Sequence, residues 1–272
     1  MLYFYLVASA ALIPGLNNFF DILRQSYSWW LIPLLFVAFV LGFIILHLAF
    51  VSVCVLFVNI DKDGRRFCRF YRVLANATIP LLLKLARVKI HSSGLEKVPN
   101  DTRFLLVCNH IHDFDPAVIM HELPKAELGF IAKKEVYEDL RFIAKFMHKL
   151  NCLPIDRENN RNAVKTILQA VSLINDDVAS VGIFPEGYTS KDGNLQPIRN
   201  GALKIAFKAK VPIVVCTLSG TTQIVKNMFI RKTDVYFDIL QVLDTEDFNN
   251  TVEAGDKVHS LMEEALNKRK SI

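Results

Sequence analysis

The chain has 272 residues, of which 52% are hydrophobic, and a formal net charge of +5. That length accommodates one α/β domain plus an additional segment. Eight basic residues against two acidic lie between Asp61 and Ile90; this local excess of six exceeds the charge of the whole chain, so the remainder is near neutral and a nucleic-acid-binding face is excluded.

In chain order, Met1 to Phe20 is almost wholly apolar, and a polar bridge (Asn17, Asn18, Asp21, Arg24, Gln25) separates it from a second apolar run, Trp29 to Val58, that holds no Lys, Arg, Asp or Glu. The second run exceeds the roughly 20 residues needed to cross a bilayer. Its paired Trp29 and Trp30 suit a membrane interface, and His47 reads as a packed or interfacial polar residue. The first run has no basic start and no clean small-residue cleavage site, so it reads as a retained segment. The basic stretch that follows marks the cytoplasmic side of a cell membrane and attracts anionic headgroups, with an ordinary solvated helix face as the competing reading. From Gly64 to Arg87 the pattern is an amphipathic helix, interrupted by Pro80, with apolar residues on lipid and arginines reaching headgroups. The expected organisation is residues 1–60 as hydrophobic membrane segments, 61–90 as a basic amphipathic helix and 91–272 as a catalytic domain on the cytoplasmic face.

After Gly94 strand-like runs recur at Arg103 to Cys108, Leu128 to Ala132, Cys152 to Ile155, Val181 to Phe184, Ile213 to Thr217 and Val235 to Val242. Helical patterns at Lys134 to Lys149, Asn160 to Ile174, Asn200 to Ala209 and Thr251 to Lys268 separate most of them, which predicts an α/β fold, a mixed sheet flanked by helices. Lys268 to Lys270 are expected to fray. The five cysteines (Cys54, Cys68, Cys108, Cys152, Cys216) are scattered, three of them in predicted strands, and read as buried free thiols of a reducing compartment.

Between the first of these strands and the next helix stand His110 and Asp115. On a regular helix, residues five apart lie roughly 140° apart around the axis and face different ways, so the pair meets only across a break. Arg103 to Cys108 supplies a strand before the break, and Asp115-Pro116 supplies a helix opening after it, with Asp at the cap and Pro at the first helical position. Asp115 then holds one imidazole nitrogen while the other takes a proton from an acceptor hydroxyl. Three further blocks sit at strand ends: Phe130-Ile131-Ala132-Lys133-Lys134-Glu135, Cys152-Leu153-Pro154-Ile155-Asp156-Arg157, and Phe184-Pro185-Glu186-Gly187, with Arg199 following. Arg and Lys here suit a phosphate-bearing substrate, and Glu186 can accept from a substrate hydroxyl or anchor a cation. Two competing readings use the same residues: metal-dependent hydrolysis by the crowded His110, His112, Asp113, Asp115 and His121, and a membrane lipid-binding protein without catalysis.

The order Asn-His-x4-Asp, Lys-Lys-Glu, Ile-Asp-Arg, Phe-Pro-Glu-Gly and then Val211-Pro212-Ile213-Val214 resembles the glycerolipid acyltransferase family, and within it the 1-acyl-sn-glycerol-3-phosphate acyltransferases. The resemblance covers roughly residues 65 to 220. It implies transfer of a fatty acyl group from acyl-CoA or acyl-carrier protein to the free hydroxyl of lysophosphatidate, in phospholipid biosynthesis, with these donors as substrates and no resident cofactor or metal. It implies His110 as base and Asp115 as its partner, Lys133 and Arg157 as phosphate contacts, Glu186 and Gly187 holding the acceptor, and an amphipathic helical pair before the catalytic domain. Two departures stand out: His112 where Ser is frequent, and Tyr188-Thr189 in place of Thr-Arg, which removes a cation near the acceptor phosphate. Lys191 or Arg199 can compensate for it, or the acceptor is a different lysolipid. With no Gly-x-Ser-x-Gly elbow, the transfer is expected to be direct, without an acyl-enzyme.

Overall fold

The structure, a computed structural model, describes residues 1–20, 31–60, 68–189, 194–228 and 230–270. Trp29 and Trp30, Asp21, Arg24 and Gln25 of the polar bridge, and the start of the basic stretch as far as residue 67 lie outside the described residues. The chain divides into two compact units, Met1–Val58 and Asn59–Ile272.

The first unit is a pair of helices, α1 (Leu2–Phe20) and α2 (Leu31–Leu56), packed with the Tyr5 ring stacked on Phe43 at 5.8 Å between centroids. Among the described residues α2 is the one helix long and apolar enough to cross a membrane; the apolar stretch of α1, Leu2–Gly15, is shorter.

The second unit opens with α3 (Arg69–Leu85) and β1 (Val88–Ser93), followed by β2 (Leu105–Cys108), α4 (Asp115–Glu122), β3 (Gly129–Lys133), α5 (Lys134–Asp139), α6 (Arg141–Lys149) and β4 (Leu153–Ile155). Then come α7 (Asn160–Asn175), β5 (Val181–Ile183), α8 (Lys204–Ala209), β6 (Ile213–Ser219), α9 (Ile224–Asn227), β7 (Thr233–Leu243) and α10 (Thr251–Lys270). The strands form one mixed sheet in the order β1-β7-β6-β2-β5-β3-β4. Five neighbours, β6, β2, β5, β3 and β4, are parallel; β7 runs against β6, and β1 runs parallel to β7.

The period of two in each strand sorts the core into two layers. Leu106 and Cys108 of β2 join Val214, Cys216 and Leu218 of β6 in a layer shared with Val118 and Ile119 of α4 and Leu83 of α3. Leu105, Val107, Ile213 and Val215 point the other way, onto Ala170 and Leu173 of α7, Ile205 of α8 and Val258 and Met262 of α10. β2 is fully buried along its length, as a central parallel strand covered on both faces must be.

Several local expectations are corrected. The strand β1 is absent from the sequence reading because its residues, Val-Lys-Ile-His-Ser-Ser, give a polar edge strand with little apolar alternation. The helix expected over Lys134 to Lys149 is two helices that break at Leu140, and Asn200 to Ala209 opens as a 3-10 turn before α8. Of the two arginines of α3 expected on headgroups, Arg69 is exposed, but Arg72 is buried and donates to the carbonyls of Leu128 (3.0 Å), Glu127 (2.9 Å) and Leu150 (3.3 Å). It pins α3 to the sheet layer, because a buried guanidinium is stable only when its donors are met. The end of α10 does not fray before Lys270: Arg269 bonds Asp238 at 2.6 Å and lies over the Tyr236 ring at 4.2 Å. Cys152 precedes β4, leaving two cysteines, Cys108 and Cys216, in strands, as register partners on β2 and β6.

Candidate active site

All five parallel strands end at the same edge of the sheet, and the chain leaves each of them carrying a polar residue. In spatial order these are Thr221 just after β6, His110 after β2, Glu186 after β5, Lys133 ending β3 and Arg157 after β4. At about 4.8 Å per strand, the ends of β2 and β4 are about 14 Å apart. The crevice at the carboxyl ends of parallel strands is the usual ligand site in such sheets.

His110 and Asp115 meet as their spacing requires. His110 Nδ1 lies 2.9 Å from Asp115 Oδ2, with Asp115 fully buried and the His110 side chain 18% exposed. Asp115 does not cap its helix: Phe114 holds the cap position and Asp115 is the first helical residue. Its carboxylate turns back over the preceding turn, where Oδ2 accepts the backbone N–H of Ile111 at 2.7 Å and of His112 at 2.8 Å. Oδ1 accepts the hydroxyl of Thr221 at 2.5 Å. An ionised carboxylate only accepts, so Nδ1 carries the proton it shares with Asp115 and Nε2 is left as the basic nitrogen.

The imidazole is also held from its face. Its ring stacks on Phe184 at 4.2 Å and 18° between planes, and Phe184 stacks in turn on Phe130 at 5.5 Å. Gly182 makes the ladder possible, since a Cβ there would collide with the Phe130 ring. From the β6 side, the buried Asn109 amide donates to Leu218 O (2.9 Å) and accepts from Leu218 N (2.8 Å), fixing the residue before His110.

Glu186 is buried, and its two oxygens accept the backbone N–H of His110 (2.7 Å) and of Gln196 (2.9 Å). It thereby ties the β2 turn to the far arm of the loop after β5. Burial raises its pKa above the usual carboxylate range, opposed by the two N–H donors and the nearby His110. The loop closes at its base through Arg199 N to Pro185 O at 3.0 Å, and Tyr188 Oη donates to Gln196 Oε1 at 2.9 Å. Gly187 has φ +84 and lies under the Arg199 side chain, where a Cβ would stand 2.8 Å from Nε. Gly187 therefore makes room for Arg199.

Arg199 is exposed and Arg157 half-buried. Burial lowers Arg157 from its ordinary value, and the neighbouring Arg199 guanidinium lowers it further, against an opposing pull from Glu135. Neither arginine forms an ion pair with a carboxylate among the described residues, nor does the exposed Lys133. Two neighbouring guanidiniums, neither in an ion pair among the described residues, have the chemistry to bind an anion. Lys191 lies outside the described residues.

The ligand set of the metal reading is not gathered: among the described residues no three His, Cys, Asp or Glu are grouped to hold an ion. Cys108 is no substitute nucleophile. Burial, and next a hydrogen bond with Cys216, push its thiol well up, and the neutral thiol is unreactive. Sequence reasoning missed Thr221 and the role of Asn109, whose partners lie 106 and 109 residues away. No local pattern announces such long-range bonds.

Residues 89–219 match the family model described as Acyltransferase. The chain is 33% identical over 160 residues to a probable 1-acyl-sn-glycerol-3-phosphate acyltransferase of Mycoplasma pneumoniae, covering 57% of this chain and 57% of that protein. It is 29% identical over 201 residues to the 1-acyl-sn-glycerol-3-phosphate acyltransferase of Bacillus subtilis, covering 73% of this chain and 94% of the relative. Its fold is similar to the crystal structure of the 1-acyl-sn-glycerophosphate acyltransferase PlsC from Thermotoga maritima, with a TM-score of 0.61 at 21% identity over 82% of this chain and 88% of the other.

Proposed function

We propose that this chain, whose residues 89–219 match the Acyltransferase family model, transfers a fatty acyl group from a thioester donor, acyl-CoA or acyl-carrier protein, to the free hydroxyl of lysophosphatidate, yielding phosphatidate. One observation carries the reading: a buried carboxylate aligns an imidazole on the same sheet edge as three cations that form no ion pair with a carboxylate among the described residues.

Nε2 of His110 takes the proton of the acceptor hydroxyl as that oxygen attacks the thioester carbonyl. Asp115 stabilises the imidazolium that results, and Phe184 keeps the ring in plane for the transfer. The tetrahedral oxyanion collapses by breaking the carbon–sulfur bond, and the imidazolium proton passes to the departing thiolate. One C–O bond forms, one C–S bond breaks and the proton moves from oxygen to sulfur, so no acyl-enzyme is needed. Arg199, Arg157 and Lys133 bind the acceptor phosphate; Glu186 acts by holding the His110 backbone and the loop that carries Arg199. The 26-residue apolar helix α2 supports a reaction at a membrane, and on this reading the catalytic domain lies on the cytoplasmic face.

One observation favours a second acceptor class. Thr189 occupies the position where the family resemblance implies an arginine, which favours a lysophospholipid with less negative charge; glycerol phosphate is the other alternative acceptor, though the missing cation does not favour it. The discriminating experiment offers purified full-length protein in vesicles acyl-CoA or acyl-carrier protein with lysophosphatidate, lysophosphatidylcholine, lysophosphatidylethanolamine and glycerol 3-phosphate. Preferential acylation of lysophosphatidate supports the first reading, preference for another acceptor replaces it with the second, and no ester from any pair rejects both.

A further inference from the structure

We propose that Thr221 is a positioning residue for the His110–Asp115 pair, acting through Asp115 to hold the carboxylate in the plane that serves the imidazole. The inference rests on the acyl-transfer reading of the site and adds to it a residue that lies beyond the stretch matched to the family, which ends at residue 219.

A carboxylate has a broad, roughly two-fold side-chain torsion, so contacts on one oxygen alone do not fix its plane. In Asp115 three donors crowd on Oδ2: His110 Nδ1, Ile111 N and His112 N. All three come from the one turn after β2 and move with it. Oδ1 has the Thr221 hydroxyl, which comes from beyond the neighbouring strand β6. Because the carboxylate only accepts, the threonine must donate. Thr221 and Asp115 are both fully buried, so water offers neither an alternative partner.

The end of β6 therefore grips the catalytic turn on both sides. Leu218 holds Asn109, immediately before His110, and Thr221 holds Asp115, five residues after it. This arrangement gives the hydroxyl a catalytic consequence rather than only a packing one: it is bonded to the group that orients the base.

The test compares Thr221→Val, which removes the hydroxyl at similar volume, with Thr221→Ser, which keeps it. A lost hydrogen bond to a charged group, expressed in the transition state, lowers kcat about ten- to a hundredfold. The expected result is that fall in Thr221→Val with KM for both substrates within about twofold, and recovery to within about threefold of the parent in Thr221→Ser. Nitrogen-15 NMR of His110 in detergent-solubilised full-length protein, without substrate, should show a changed Nδ1–H signal in Thr221→Val and a native one in Thr221→Ser. That arm reads the pair itself, so it remains decisive if the parent protein acylates no lysolipid and the acyl-transfer reading fails. Equal losses in Val and Ser, a rise in KM at unchanged kcat, or a native His110 signal in Thr221→Val would each overturn the proposal. Should Thr221→Val not fold, Thr221→Cys, a weak donor of similar size, must fall between parent and Thr221→Ala in both readouts, and failure to do so also overturns it.

Discussion

Replacing Asp115 with asparagine removes one charge from the site and leaves its hydrogen-bonding shape in place. The amide oxygen can occupy the Oδ2 position and accept from Ile111 N, His112 N and His110 Nδ1, while the amide nitrogen faces the Thr221 hydroxyl, which can rotate to accept. Folding should therefore change little. What is lost is the attraction between the carboxylate and the imidazolium formed as the proton leaves the acceptor. At an effective dielectric near 20 and a charge separation of about 4 Å, that attraction is about 4 kcal/mol. With 1.36 kcal/mol per decade, Asp115→Asn should lower kcat about a thousandfold with KM nearly unchanged. Alanine at the same position strands two backbone donors and a hydroxyl in the interior, at about 1–3 kcal/mol each, so Asp115→Ala should lose stability as well as activity. Acyl transfer to lysophosphatidate in vesicles, read beside thermal melting, separates the two effects. An Asp115→Asn protein within tenfold of the parent in kcat would rule out this role, since the carboxylate charge would then contribute less than about 1.4 kcal/mol in the transition state.

Glu186→Gln can accept from His110 N or Gln196 N but not from both, so kcat should fall and the loop after β5 should exchange its amide protons faster, as hydrogen exchange would reveal. The raised pKa of Glu186 also gives a sign: the unfolded chain loses this proton first, so the contribution to stability is full below the ordinary glutamate range and is lost as pH rises through the folded value. Melting curves of parent and Glu186→Gln across that interval should differ in slope, with the parent declining more steeply. Arg199→Ala and Arg157→Ala should each raise KM for a phosphate-bearing acceptor about ten- to a hundredfold, and Arg157→Ala should melt no lower than the parent, because it removes a guanidinium that opposes Arg199. Arg72→Met leaves three carbonyls without their donor and should cost about 3 kcal/mol in denaturant unfolding, with kcat per folded molecule unchanged.

The central sheet was readable because β2, β5 and β6 are buried on both faces and therefore appear as short uninterrupted apolar runs bounded by polar turns. Strand β1 escaped notice because an edge strand need only be half apolar, and its hydrogen bonds to β7 depend on residues about 145 positions away. The juxtaposition of His110 and Asp115 follows from the strand–turn–helix punctuation, and the row of cations follows from strand ends. The direction of individual side chains does not. The Phe-Pro-Glu-Gly turn itself shows neither the two backbone donors that Glu186 holds nor the Arg199 side chain that lies over Gly187. Arg72 reads as a headgroup contact from local charge alone, and burial decides otherwise. In each case the deciding partner comes from a distant segment, which a pattern confined to a few neighbouring residues cannot contain.

The decisive measurement is the rate at which His110→Ala forms phosphatidate from lysophosphatidate and an acyl thioester, under saturating substrate and against the parent protein in the same vesicles. Direct transfer with His110 as base predicts a fall in kcat of at least about a hundredfold with lysolipid binding retained. A His110→Ala protein that forms phosphatidate at a rate within tenfold of the parent would contradict it.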